Sequence, residues 1–288
     1  MATHLGPEVL RTLRFAASDE WRETLEQSSF TWKGSDPEKW KGFGRLWRDG
    51  GHYNASIILD GSVSKYVIET TVPTPIAAGN LAAALEFAIG NPIRVGVESQ
   101  SQFTAFVSIQ IKERPHSDTF PPLRIDNYKP KGNLTPLSID GLEFGKKGGI
   151  RRFGQNYCSV PIRLFDHWER ASTSLASIAD SQDKTTWEKS MCTAVSTAFV
   201  ESGELVFIEN EQSWEQVGSQ YLSRWGFGKI EHILASQDSL SFAVKSDANP
   251  CMVAGLLMGC MHRGMGKNIY PEWEIIDDTT SIRFDMTR

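Results

Sequence analysis

Zinc or thiol chemistry would draw on six histidines, at 4, 52, 116, 167, 232 and 262, and four cysteines, at 158, 192, 251 and 260. No His-x-x-x-His pair with a neighbouring glutamate is present, so the zinc-binding helix of metallohydrolases is not encoded. There is no Cys-x-x-Cys and no Gly-x-Ser-x-Gly nucleophile elbow. Asp166, His167 and Cys158 are the residue types of a thiol nucleophile and its base. Adjacent residues on a helix point apart, however, and no catalytic role is assigned. Cys192, Cys251 and Cys260 fall in apolar helical patterns and read as buried free thiols.

Two stretches offer binding chemistry instead. Met252, Met258, Met261 and Met265 recur along one apolar helix. Methionine is soft enough to line an adaptable cavity or simply to fill a core. His262 at the end of that helix would be a polar ligand or a cap. Residues 144 to 154 hold the one concentrated basic patch, with Lys146, Lys147, Arg151 and Arg152 among glycines. Glycine backbone amides and these cations can meet phosphate. The run lacks the Gly-Lys-Ser/Thr ending of a phosphate-binding loop, which favours a solvated turn or a protein-docking surface.

The elements that must position these residues follow from periodicity. Residues 229 to 236 and 240 to 245 form a predicted hairpin. Asn249 caps a helix that starts at Pro250, where a missing N–H costs nothing. Gly255 and Gly259 lie one turn apart and permit close backbone approach, and Gly264 and Gly266 end the helix. Residues 269 to 276 and 281 to 286 make a second hairpin around Asp277-Asp278, with Ile282, Phe284 and Met286 on its buried face.

The first half carries the same pattern. Helices are predicted from Pro7 to Glu26 and from Asp36 to Trp47, then strands at 54 to 59 and 62 to 71 around Asp60-Gly61. A helix at 80 to 89 and strands at 93 to 98 and 103 to 112 follow. Phe43, Trp47 and Gly50 recur as Tyr221, Trp225 and Gly228 at an offset of 178, and Ala78-Gly79 recurs as Ala254-Gly255 at 176. The fold class is α+β, with two tandem helix-then-ββαββ modules forming a pseudo-dimer. Residues 1 to 112 form the first repeat, 113 to 160 a Pro/Gly-rich connector with the basic loop, and 161 to 288 the second. Helices are predicted around Leu164 to Ile178 and Trp187 to Phe199, the latter capped by Thr185 or Thr186, and from Ser213 to Ser223. Residues 204 to 209 are a short apolar run of open type. Trp40 and Trp47 read as core aromatics rather than a stacking platform.

Composition narrows the classes. The chain has 288 residues, a formal charge of −5 and a pI near 5.7, which disfavours chain-wide attraction to nucleic acid or anionic lipid. No apolar run reaches the roughly 18 residues of a membrane span, and the start of the sequence lacks the pattern of a signal peptide, so the cytoplasm is expected.

The run Ala254-Gly-Leu-Leu-Met-Gly259, preceded by Pro250-Cys251 and by Trp225-Gly-Phe-Gly-Lys229, resembles the vinyl-4-reductase domain and the small subunits of the TRAPP tethering complex. The resemblance is specific over about the last 80 residues. It implies leading helices before ββαββ. Many members carry a metal-binding cysteine pair in the final hairpin, whereas Glu272, Trp273, Asp277 and Thr279 occupy that region here. A metal role is therefore not expected. What remains is a noncatalytic binding or scaffold protein that docks a protein partner, associates with itself, or takes a small apolar ligand. Trp225, Met252, Gly255, Met258, Gly259 and His262 are the candidate ligand contacts. Lys146, Lys147, Arg151 and Arg152 are the candidate anion or partner contacts. A tetrapyrrole-handling or reductase-type enzyme is the alternative, and nucleotide or nucleic-acid binding by residues 144 to 154 a weaker one. No cofactor is identified.

Overall fold

In the computed structural model, residues 8–99, 101, 104–111, 142–144, 150–152, 155–176 and 184–287 are described. They belong to two units, one drawn from 7–125 and 139–172 and the other from 173–288. The described residues are mixed α+β, with seven α-helices and two four-stranded antiparallel sheets.

The first unit begins with α1 (Glu8–Glu26) and a 3-10 turn (Pro37–Lys39) whose N-cap, Asp36, accepts the Glu38 N–H. Helix α2 (Phe43–Asp49) follows. One helix was expected from Asp36 onward. Gly42, at φ 83°, breaks it into these two pieces, because that left-handed conformation cannot lie inside a right-handed helix. Strands β1 (His52–Leu59) and β2 (Ser64–Thr70), helix α3 (Thr74–Ile89), and strands β3 (Ile93–Ser99) and β4 (Thr104–Ile111) complete the core of the unit. The sheet order is β1-β2-β4-β3. Helix α3 starts six residues earlier than expected, since Pro75 sits in its first turn where proline is tolerated.

Helix α3 is apolar all round and survives in water only when covered on every side. The sheet covers one side with Tyr66, Ile68, Val107 and Ile109, all 2% exposed or less. Helix α1 covers another. There Gly79 is essential: a Cβ at that position would stand 2.4 Å from the Arg14 carbonyl oxygen and 2.8 Å from Ala17 Cβ. Trp40 and Trp47 are core, at 4% and 1% exposure, in an aromatic stack that joins Phe30, Trp32, Trp40, Phe43, Trp47 and His52.

Strands β5 (Leu142–Phe144), β6 (Ile150–Arg152) and β7 (Gln155–Tyr157) form a small antiparallel sheet. Part of the expected connector is therefore regular structure, with the basic run contributing to two strands. Helix α4 (Leu164–Ala176) then docks on α1 through polar contacts. Trp168 Nε1 donates to the Val9 carbonyl at 3.1 Å, and Thr12 Oγ1 lies 2.9 Å from Ser172 Oγ.

The second unit has α5 (Lys184–Glu201) and α6 (Glu211–Val217), the latter running into a π turn (Gly218–Leu222) and a 3-10 turn (Ser223–Trp225). Strands β8 (Lys229–Ala235) and β9 (Ser239–Lys245), helix α7 (Pro250–Met265), and strands β10 (Glu272–Ile276) and β11 (Thr279–Asp285) follow. The sheet order is β8-β9-β11-β10. Helix α5 begins at Lys184, so Thr185 and Thr186 lie inside it rather than capping it. Asn249 caps α7 as expected, accepting the Cys251 N–H, while Gly264 stays within the helix and Gly266, at φ 68°, ends it.

The two sheets have the same connectivity: first strand, second, fourth, third. The crossing helices also correspond. A Cβ at Gly255 would stand 2.5 Å from the Cys192 carbonyl oxygen and 2.9 Å from Val195 Cβ. Gly79 faces Arg14 and Ala17 in the same manner, and each α1 position lies 178 residues before its α5 counterpart.

Candidate functional site

The structure disperses most of the α7 candidates into packing. Gly255 and Gly259 are filled from outside by α5, with a Cβ at Gly259 meeting the Phe199 side chain at 3.0 Å. Met252 and Met258 are buried at 5% and 7% exposure. His262 is half-buried in the last turn of α7, and Trp225 is half-buried with the Arg224 guanidinium 5.9 Å from its ring. Of the basic candidates, Arg151 is exposed in β6 and Arg152 follows it in the same strand. Lys146 and Lys147 lie outside the described residues.

A concavity of about 290 Å³ opens elsewhere, in the first unit. It is bounded by the β1–β2 turn, the carboxyl end of α3, the end of β4 and the Gly34-Ser35 segment. Each wall has a local cause. Asp60-Gly61 turns the hairpin, and Ser64 Oγ holds that turn by donating to Asp60 Oδ1 at 3.1 Å. Gly34, at φ 81°, lets the chain curl back so that its N–H donates to the Ala88 carbonyl at 3.2 Å. Strand periodicity puts Ile109 and Ile111 on one face of β4, and Ile111 is 53% exposed at the rim.

The cleft is apolar on one side and polar on the other. Ala88, Ile89, Ile109 and Ile111 supply the apolar wall, and Ser35, Asp60, Ser62 and Ser64 the polar one. Tyr66 lies at the floor and donates its hydroxyl to the Ser35 carbonyl at 2.8 Å. Burial chiefly, with Asp60 and Asp36 adding to it, pushes that phenol up to about 12, so it remains a neutral donor. The exposed Asp60 carboxylate and the carboxyl end of α3 both bring negative potential to the cleft. It suits a small ligand with an apolar body and a donor-bearing or cationic head. Asp60-Gly61 is visible in the sequence as a turn, but nothing there says that the turn folds beside the end of α3.

Two histidines and three cysteines are held neutral by burial. His52 is 1% exposed, stacked 4.0 Å from Trp47, and burial lowers its pKa to about 3. The Asn80 amide satisfies its surroundings when its nitrogen donates to the Ile76 and Ala17 carbonyls, which turns its oxygen toward His52 Nε2 at 3.3 Å. His52 then donates from Nε2 and accepts the Thr70 hydroxyl at Nδ1, 3.0 Å away. His167 is lowered to about 4, first by burial and then by Arg163 and Arg170. Its Nε2 lies 3.7 Å from Glu23 Oε1, while Arg163 pairs with the other Glu23 oxygen at 2.8 Å. Burial raises the thiol of Cys158, lifts that of Cys192 to about 12, and raises that of Cys260 further. A thiol so placed is protonated near neutral pH and is a poor nucleophile. Among the described residues no group of three or more His, Cys, Asp or Glu side chains is arranged to hold a metal ion, and no helix is long and apolar enough to cross a membrane.

Comparison with protein-family models and with curated proteins finds no match for this chain.

Proposed function

We propose that this chain is a noncatalytic binding protein built from two tandem modules similar to the vinyl-4-reductase domain, and that the first module takes a small, partly apolar ligand. The observation that carries the reading is the cleft beneath the β1–β2 turn, with an isoleucine wall opposite Asp60, Ser62 and Ser64. Apolar area removed from water supplies affinity, at about 25 cal/mol per Å², and the carboxylate and hydroxyls orient the ligand's polar end. The shared strand order and the glycine crossings at Gly79 and Gly255 support the tandem reading. His52 and His167 are buried, and neither they nor the raised thiols of Cys158, Cys192 and Cys260 line the cleft, which favours binding over nucleophilic or acid–base catalysis there.

Native mass spectrometry of protein purified from cells tests this. The wild type is expected to carry a small-molecule adduct that denaturing spectra lack. Ser62→Trp, which places a large side chain in the cleft from an exposed turn, is expected to abolish it while leaving thermal unfolding unchanged. A wild-type spectrum free of adduct, or an adduct that survives Ser62→Trp, sinks the assignment.

A further inference from the structure

A feature of the second unit, separate from the cleft, points to a different kind of partner. Between α5 and α6 the chain passes through Glu204 to Ile208 with no helix and no turn, and burial alternates along it as in a β-strand. Val206 and Ile208 point inward over Gly264, where a Cβ would stand 2.6 Å from Ile208 Cδ1 and 3.1 Å from Val206 Cγ1. Leu205 and Phe207 point outward and are 66% and 77% exposed.

This segment is held in place. Arg263 donates from Nε to the Glu204 carbonyl at 3.0 Å and from Nη2 to the Gly203 carbonyl at 3.3 Å. Tyr221 donates its hydroxyl to the Leu205 carbonyl. Ser202 and Ser213 accept the N–H groups of Glu204 and Glu209 at the two ends. Tyr221 meets one edge of the strand at Leu205, whereas on the other edge Ser202 and Arg263 reach only Glu204, at its start. Among the described residues the N–H and C=O groups of Val206 and Ile208 make no hydrogen bond. In an extended chain those groups share one edge, opposite the edge that carries the Leu205 carbonyl.

A fixed strand with one open edge and two large apolar side chains in water is a template for pairing with another extended chain. Charge selects which chain. From Ser190 to Ser223 the sequence has no lysine or arginine and five glutamates, at 201, 204, 209, 211 and 215. Glu201, Glu209 and Glu211 are exposed around the ridge. Arg263, close by, donates to backbone carbonyls.

We infer that residues 204–208 form a docking strand for an extended segment of a partner protein in which apolar residues alternate with lysine or arginine. The partner's backbone pairs with Val206 and Ile208, its apolar side chains cover Leu205 and Phe207, and its cations meet the surrounding glutamates. The inference goes beyond the cleft: it concerns the other unit and a macromolecular partner, so either reading can fail alone.

Fluorescence anisotropy on the full-length protein tests it, with a labelled peptide of alternating lysine and valine as probe. Saturable binding is expected, weakening at least about tenfold in the double variant Leu205→Ser, Phe207→Ser and with added salt. Both side chains already stand in water, so the variant is expected to unfold at the wild-type temperature, and Glu209→Gln with Glu211→Gln gives a second weakened variant that keeps the apolar ridge. A peptide of alternating glutamate and valine is expected not to bind, nor is the lysine–valine peptide methylated on alternate backbone nitrogens. Absence of saturable binding to the lysine–valine probe, equal binding of the acidic or N-methylated peptide, or unchanged affinity in the serine variant overturns the proposal.

Discussion

At the scale of single residues, the two glycines under the crossing helices test the packing most sharply. A methyl group at Gly79 or Gly255 would meet a backbone carbonyl at 2.4 or 2.5 Å, and backbone cannot rotate aside as a side chain can. Gly79→Ala and Gly255→Ala each gain up to about 1 kcal/mol of helix propensity but must force two helices apart, which costs about 1–3 kcal/mol. A net loss of stability is expected for both in chemical denaturation. Gly61→Ala, with nothing within 4 Å, is expected to change stability by less than about 0.5 kcal/mol. Equal stability of all three proteins would contradict the tight crossings. His52 gives a pH prediction. Its pKa is about 3 when folded and about 6.5 when unfolded, so above pH 6.5 neither state is charged and nothing is lost. Below that the unfolded chain takes up a proton that the folded protein refuses, and stability falls by on the order of 1 kcal/mol per pH unit down to about pH 3. Glu20 acts in the opposite sense. Burial raises it to about 7, so its share of stability is present at low pH and drains away as pH rises from about 4.5. Comparing wild type with His52→Gln across pH 4 to 7 isolates the histidine, and the variant's curve should be the flatter in acid. Parallel curves would mean that His52 is not buried as a neutral ring.

At the scale of elements, local chemistry made much of the fold legible. Asn249-Pro250 marks the start of α7 to the residue, and Asp60-Gly61 and Asp277-Asp278 mark both turns. Strand alternation identified Ile282 and Phe284 as inward-facing, and both are fully buried. The misses have physical causes. Gly42 takes a left-handed conformation that a helical hydrophobic pattern does not reveal, and α3 runs back to Thr74 because Pro75 sits where proline is harmless. Residues 204–208 have a strand's alternation but no partner strand within the sheet, so sequence alone left them open between types. Gly255 and Gly259, candidate ligand contacts in the sequence, were also read there as permitting close backbone approach. In the structure α5 occupies that approach.

At the scale of the molecule, the two four-stranded sheets share one connectivity, and each unit has a buried helix crossed by a leading helix at a glycine. The cleft was not legible, because it is made by Gly34-Ser35, Asp60–Ser64 and the end of α3, which only the tertiary fold brings together. The shared strand order does not by itself require a second such cleft, because this one is lined by residues of the turn, the helix end and the Gly34-Ser35 segment. In the proposed function the small ligand sits in this cleft and not along α7. Hydrogen–deuterium exchange, comparing protein as purified with protein unfolded, freed of small molecules and refolded, measures that most directly. The purified protein is expected to be the better protected in residues 57–66, 85–91 and 107–111, with α7 unchanged. Protection that differs along 250–265 instead, or nowhere, would contradict it.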